Sequence, residues 1–331
     1  MTTSRGALKV TDLKVHFGGK RSLFSKKASV VHAVDGVSFQ IPKGKTLGIV
    51  GESGSGKSTT ALAIMRLVEI TSGSVSLGDT AISELEGDAL RSARRKFQVI
   101  FQDPYSSLNP RLRAGAIVRE PLDLMNIGTP QERKNRVDEL FSQVGLRPEQ
   151  QALFPHQFSG GQRQRLGFAR ALSTMPDLII CDEPVSALDV AIQAQILNLM
   201  TRLQQELGLT YLFISHDLGV VQHVCDEVAV MYLGQIVEQA DRVNLFSNPQ
   251  HPYTQALLAA VPTIRNGVAG RGRNRKSKAL ITGDPPSPIN PPDGCRFAGR
   301  CPKFQSICRR VTPQMIVLDE NHQVACHLLN G

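Results

Sequence analysis

The sequence predicts an α/β fold around a parallel sheet covered on both faces, followed by a small cysteine-bearing extension. Three observations predict it. Short, almost continuous apolar runs alternate with helical patterns: DLIICDEP (177–184), TYLFISHD (210–217) and EVAVMYL (227–233). Strands that read this way are buried on both sides, as in parallel sheets. Another run, TLGIV, leads directly into the glycine-rich GESGSGKST (51–59) and then into helical spacing. Beyond about residue 245 the character changes, to HPYTQALLAAVP (251–262), a basic stretch and the proline-rich GDPPSPINPPDGC.

Each element has its own signal. Residues 8–60 are strand-rich, with LKVTDLKVHF and VVHAVDGVSFQI ahead of TLGIV, and the polar, basic 18–29 reads as an exposed turn between strands. A helix is expected from Lys57 to about Val68, where apolar spacing resumes. In 130–145, Val137, Leu140, Phe141 and Val144 share one helical face, with Pro130 at the start and Gly145 at the stop. Between two of the apolar strands, Ile192, Ile196, Leu199, Leu203 and Leu207 form a helical stripe. HPYTQALLAAVP reads as one short helix.

Composition limits the function classes. With 331 residues, 41% hydrophobic and 20% charged, the chain is an ordinary globular protein. It has no apolar run of about twenty residues to span a bilayer, and MTTSRGALKV lacks the apolar core of a signal peptide. A cytosolic chain is therefore expected. The net charge is +9, and six of the basic residues fall within 265–278 with no acid among them. That stretch has three readings: a solvated segment, a contact for anionic lipid headgroups, or a nucleic-acid contact.

The chemistry lies in two motifs. GESGSGKST fits G-x-x-x-x-G-K-[ST], whose glycines turn backbone N–H groups inward as an anion nest closed by a helix N-terminus. Ser53, Gly54, Ser55, Gly56 and Thr59 would line it, Lys57 would reach the terminal phosphates and the Ser58 hydroxyl would bind Mg²⁺. LIICDEP ends an apolar strand in two acids. Asp182 is placed to hold Mg²⁺ through water and Ser58, and Glu183 to orient and deprotonate an attacking water.

Further strings match a family. FSGGQRQR (158–165) resembles the signature motif of ATP-binding cassette (ABC) proteins, with Phe158 for the commoner Leu. VIFQDP resembles their Q-loop, SALD (186–189) their D-loop and FISHD their switch region, and all stand in family order. The resemblance implies a RecA-like core with a β-rich subdomain and an inserted helical subdomain at about 103–165, together forming a nucleotide-binding domain over 1–245. It also implies roles. Gln102 would contact Mg²⁺ and the γ-phosphate, His216 would hold the γ-phosphate and water, and Phe17 would stack on adenine. Ser159, Gly160, Gly161, Gln162 and Asp189 would serve the nucleotide bound to an opposite subunit.

VIFQDPYSSLNPRL, HPYTQALLAAVP and PPSPINPPDGCRFAGRCP resemble the ATPase subunits of dipeptide and oligopeptide importers, with 246–331 as their characteristic extension. That family implies a homologous second ATPase in a heterodimer, two transmembrane permease subunits, a solute-binding protein acting indirectly, and a peripheral place on the cytoplasmic face of a bacterial inner membrane. Importers of nickel, haem or glycan fragments share the same strings. ABC proteins of nucleic-acid repair carry a long coiled-coil insertion, for which the interval Ser58–Phe158 is too short. Translation-type ABC factors carry two cassettes in one chain, and a single phosphate loop is present here.

Cys295, Cys301, Cys308 and Cys326 crowd the last part of the chain. Thiolates on a proline- and glycine-rich segment suit a metal staple. The lack of a C-x2-C knuckle favours a 4Fe–4S cluster, and the family resemblance favours it too; zinc and free thiols remain alternatives. Being remote in sequence from the phosphate loop, the site is expected to be structural or redox-sensing. Cys181 and Cys225 read as buried thiols.

Overall fold

A computed structural model describes residues 6–18, 29–103, 105–260 and 283–329, the first two in backbone only. The basic stretch 265–278 and most of the insert 18–29 therefore lie outside the described residues.

The chain opens with β1 (Gly6–Gly18) and β2 (Val30–Pro42), which pair antiparallel. Alternation places Leu8, Val10, Leu13 and Val15 inward. The step between Val10 and Leu13 is a bulge in which Asp12 adopts a left-handed φ of 46°. β3 (Thr46–Val50) is buried at every residue, as a strand with neighbours on both sides and both faces must be. It leads into α1 (Lys57–Ile64). β4 (Ser72–Leu77) and β5 (Thr80–Ala81) complete a four-stranded sheet in the order β2-β1-β4-β5. α2 (Gly87–Ala93) and β6 (Phe97–Ile100) follow.

Three helices interrupt the strand series: α3 (Ala114–Leu124), α4 (Pro130–Gln143) and α5 (Gly160–Leu172). Thr129 starts α4 through a capping box with Glu132, and Gly145 at φ 74° ends it, with Leu146 N–H donating to Phe141 O at 2.8 Å. The series resumes with β7 (Leu178–Asp182), α6 (Val190–Leu207), β8 (Thr210–Ser215), α7 (Leu218–Val224), β9 (Glu227–Tyr232) and β10 (Gln235–Asp241). Next come α8 (Arg242–Ser247) and α9 (Pro252–Ala260), then β11 (Ile316–Asp319) and β12 (His322–Val324). The larger sheet runs β11-β12-β10-β9-β3-β8-β7-β6, parallel from β9 to β6 and antiparallel beyond.

The period of two sends the strand side chains into separate cores. Leu178, Ile180, Leu212 and Ile214 pack toward α1 and the smaller sheet. Ile179, Cys181, Tyr211 and Phe213 pack toward α5, α6 and the helical insert.

Several expected boundaries shift. α1 stops at Ile64, short of Val68, because Arg66 takes a left-handed φ of 54° and Leu67 N–H donates back to Leu62 O at 2.9 Å. The helical insert extends past 165, since α5 continues to Leu172. Leu207, at the end of the α6 stripe, is exposed, and Met200 is buried instead. The region beyond 245 is bound into the larger sheet: β12 pairs with β10, and Phe297 is buried in the main core.

Glu238 of β10 is central to that attachment. Its carboxylate is fully buried, accepts the N–H groups of Gln250 (2.6 Å) and His251 (2.9 Å), and meets His322 Nε2 of β12 at 2.8 Å. Glu238→Ala should lower unfolding stability by about 3 kcal/mol, since the groups it served stay buried without a partner. An unchanged urea midpoint would contradict this.

Candidate nucleotide-binding site

The turn between β3 and α1 is shaped by residues that few side chains could replace. Gly56 sits at φ 106°, and a Cβ there would lie 2.2 Å from Ala33 O. The resulting cleft of 550 Å³ is lined by Ser53, Gly54, Gly56, Lys57, Ser58 and Thr59, and by Gln102, Glu183 and His216 from three other strand ends. Ser55 lies buried beneath the turn, outside that lining.

Lys57 is buried, and its ammonium donates to Gly51 O and Glu52 O, both at 2.9 Å. Burial lowers its pKa, while the carboxylates of Glu183, Asp182 and Glu52 act in the opposite sense. Ser58 Oγ donates to Asp182 Oδ1 at 3.1 Å, which joins the two predicted Mg²⁺ ligands across the cleft floor. Burial raises Asp182 above the usual carboxylate range, and Glu183 adds to the rise, whereas Ser58 and Lys57 oppose it. A divalent cation bound here would act in the same sense as Lys57 and favour the ionised carboxylate.

Glu183 follows β7 with a left-handed φ of 49°, its N–H tied to Ile214 O at 2.9 Å. The turn points its carboxylate into the cleft, where Gln102 Nε2 donates to Oε2 at 2.9 Å and His216 Nδ1 meets Oε1 at 3.0 Å. Three residues predicted from separate strings thus converge on one carboxylate.

Other predicted residues stand elsewhere. Ser159 caps α5 through a reciprocal box with Gln162, Asp189 caps α6 by accepting Ile192 N–H at 3.0 Å, and none of Ser159, Gly160, Gly161, Gln162 or Asp189 lines the cleft. Gly161 is also a packing requirement, since a Cβ would lie 2.5 Å from Ile192 Cγ2. Phe17 is 43% exposed and outside the lining, although it stands opposite Val31, which belongs to it.

Sequence reasoning missed the side of the cleft contributed by Val31, Ala33 and Pro288, and the supports of Glu52. Glu52 N–H donates to the Tyr253 hydroxyl at 2.9 Å, and its carboxylate receives the Arg300 guanidinium. The string HPYTQ was the available signal for Tyr253; no local pattern pairs Glu52 with Arg300.

Among the described residues, the one trio of His, Cys, Asp and Glu with ligand atoms within 4.8 Å is His16, His32 and Asp35. Arg296 already bonds the Asp35 carboxylate, so this is an ion-pair cluster. Burial would raise Asp35, but His16, Arg296 and His32 outweigh it and hold the carboxyl low. The four C-terminal cysteines are close enough to influence one another. Burial first, then Cys308, Cys326 and Cys301, push the Cys295 thiol up to about 11. Among the described residues, however, no three of these thiols have their sulfur atoms within 4.8 Å of one another, so they form no metal-ligating cluster here.

The ABC transporter family model matches residues 34–186, and a model for the oligopeptide/dipeptide transporter C-terminal region matches 237–308. The oligopeptide transport ATP-binding protein AppF of Bacillus subtilis is 50% identical over 97% of both chains. The dipeptide transport ATP-binding protein DppF of Haemophilus influenzae is 46% identical over 96% of this chain and 95% of its own. The chain belongs to the ATP-binding subunits of peptide ABC transporters. The dimeric ATP-binding cassette MJ0796, solved bound to ADP and Pi, is similar with a TM-score of 0.62 at 29% identity, over 71% of this chain and 98% of its own. As an ABC ATPase the chain uses ATP with Mg²⁺, and the cleft offers chemistry suited to both.

Glu183→Gln should retain ATP binding but lose roughly two to four orders of magnitude in hydrolysis, the usual contribution of a positioned general base. Hydrolysis at the wild-type rate, measured by phosphate release, would remove Glu183 from that role.

Proposed function

We propose that this chain is the ATPase subunit that powers import of dipeptides or oligopeptides. The observation that carries this reading is the end-to-end similarity to peptide-transporter ATPases, including the C-terminal region at 237–308. Residues 1–245 act as the nucleotide-binding domain and 246–331 as its extension.

The chemistry follows from the site. Ser58 and Asp182, with Gln102, hold Mg²⁺, which when bound neutralises phosphate charge. Lys57 and the turn N–H groups hold the β- and γ-phosphates. Glu183 accepts a proton from water as its oxygen bonds to the γ-phosphorus; the bond to the bridging oxygen breaks, and ADP and phosphate leave. His216 orients Glu183 and the γ-phosphate. Phe17 and Pro288 flank the base. Ser159, Gly160, Gly161, Gln162 and Asp189 face the nucleotide of a second, homologous ATPase in a heterodimer. The exposure of Ser159 and Asp189 at helix starts, with all five residues outside this chain's own cleft, supports that arrangement.

Closure of the pair on ATP and opening after hydrolysis drive two permease subunits at the cytoplasmic face of the membrane, supplied by a solute-binding protein. Among the described residues no helix is long and apolar enough to cross a membrane. Cys295, Cys301, Cys308 and Cys326 form the ligand set for a 4Fe–4S cluster.

The test is the complex assembled with its permeases, purified without oxygen, analysed for iron and sulfide, and sealed into vesicles. ATP-dependent accumulation of a labelled dipeptide or oligopeptide, with iron and sulfide present, is expected. Uptake of nickel, haem or glycan fragments in place of peptide would overturn the substrate class. A colourless, iron-free sample would overturn the cluster.

A further inference from the structure

The loop that begins at Cys295 and ends at Cys301 reaches both β2 and the phosphate turn, the two elements beside the nucleotide cleft. Arg296 bonds Asp35 of β2 and the carbonyl of Leu233. Arg300, next to Cys301, forks onto Glu52 of the phosphate turn, with Nη1 at 2.8 Å from Oε2 and Nη2 at 3.1 Å from Oε1. Nη1 also donates to the Tyr232 hydroxyl at 3.3 Å. The side chain of Arg300 is only 9% exposed, so its charge depends on that carboxylate. Between the two arginines, Phe297 packs edge-on against Tyr232 at 5.3 Å and beside Tyr253 at 5.4 Å.

Glu52 is held on every side. Its carboxylate accepts Arg300, its N–H donates to Tyr253, and its carbonyl accepts Lys57 Nζ. The same residue therefore connects the cysteine loop to the lysine that meets the terminal phosphates. At its other end the loop is held through its backbone: Cys295 N–H donates to the Cys308 carbonyl at 2.7 Å.

We propose that Arg300 is a positioning residue for the phosphate turn, setting nucleotide affinity by holding Glu52 from the loop that begins at Cys295 and ends at Cys301. The proposal rests on the nucleotide-binding reading of the cleft and adds a control element to it. Removing the fork frees the Glu52 carboxylate and loosens the turn before nucleotide arrives. The penalty therefore falls on binding, while Glu183, Gln102 and His216 keep their geometry.

The full-length chain is titrated with Mg–ATP for affinity, and kcat and KM are measured in the assembled complex. Arg300→Met should weaken binding by roughly tenfold, within the range usual for coupled sites, and raise KM with kcat nearly unchanged. Arg300→Lys keeps the charge but not the bidentate fork, so it should fall between Met and wild type. Wild-type affinity in Arg300→Met would overturn the proposal; if that variant does not fold, Glu52→Gln breaks the same fork from the other side and decides in its place. A wild-type chain that fails to bind Mg–ATP would instead refute the nucleotide reading itself.

Discussion

A turn built largely of glycine and serine has few side chains with which to hold its own shape, and the site depends on that turn keeping its N–H groups inward. The stiffness comes from elsewhere. Lys57 ties the turn from within through the carbonyls of Gly51 and Glu52. Tyr253 and Arg300 tie it from the C-terminal region, 201 and 248 residues downstream of Glu52 in sequence. β3, buried between β8 and β9, supplies the fixed base on which these contacts act.

The parallel sheet explains why the reacting groups meet. β3, β6, β7 and β8 point the same way, so the turn after β3, Gln102 after β6, Asp182 and Glu183 at the end of β7 and His216 after β8 all emerge along one edge. Ligands bind outside the carboxyl ends of strands in such sheets for this reason. The strained backbone of Glu183 and the raised pKa of Asp182 are costs that the surrounding packing bears.

Much of this was legible in the sequence. Buried strands wrote themselves as apolar runs, and the phosphate turn and the acidic pair pointed to phosphate chemistry through residue type and spacing, whereas Gln102 and His216 were reached only through the family resemblance. What stayed hidden was long-range pairing. Nothing local in GCRFAGRC states that its arginines reach Asp35 and Glu52, and nothing in HPYTQ states that Tyr253 receives a turn N–H. Remoteness in sequence pointed to a structural or redox-sensing role for the cysteine segment, and the pairing of β12 with β10 that ties this segment to the larger sheet had no local signal. The end of α1 was misplaced because its left-handed stop is Arg66, where a glycine would have been recognisable.

The central claim is that the cleft binds Mg–ATP through the turn and its lysine. Calorimetric titration of the purified chain with Mg–ATP, beside Lys57→Ala, tests it most directly. Saturable binding in the wild type that disappears in the variant is the predicted result. Equal binding by both chains would place the nucleotide somewhere other than this cleft.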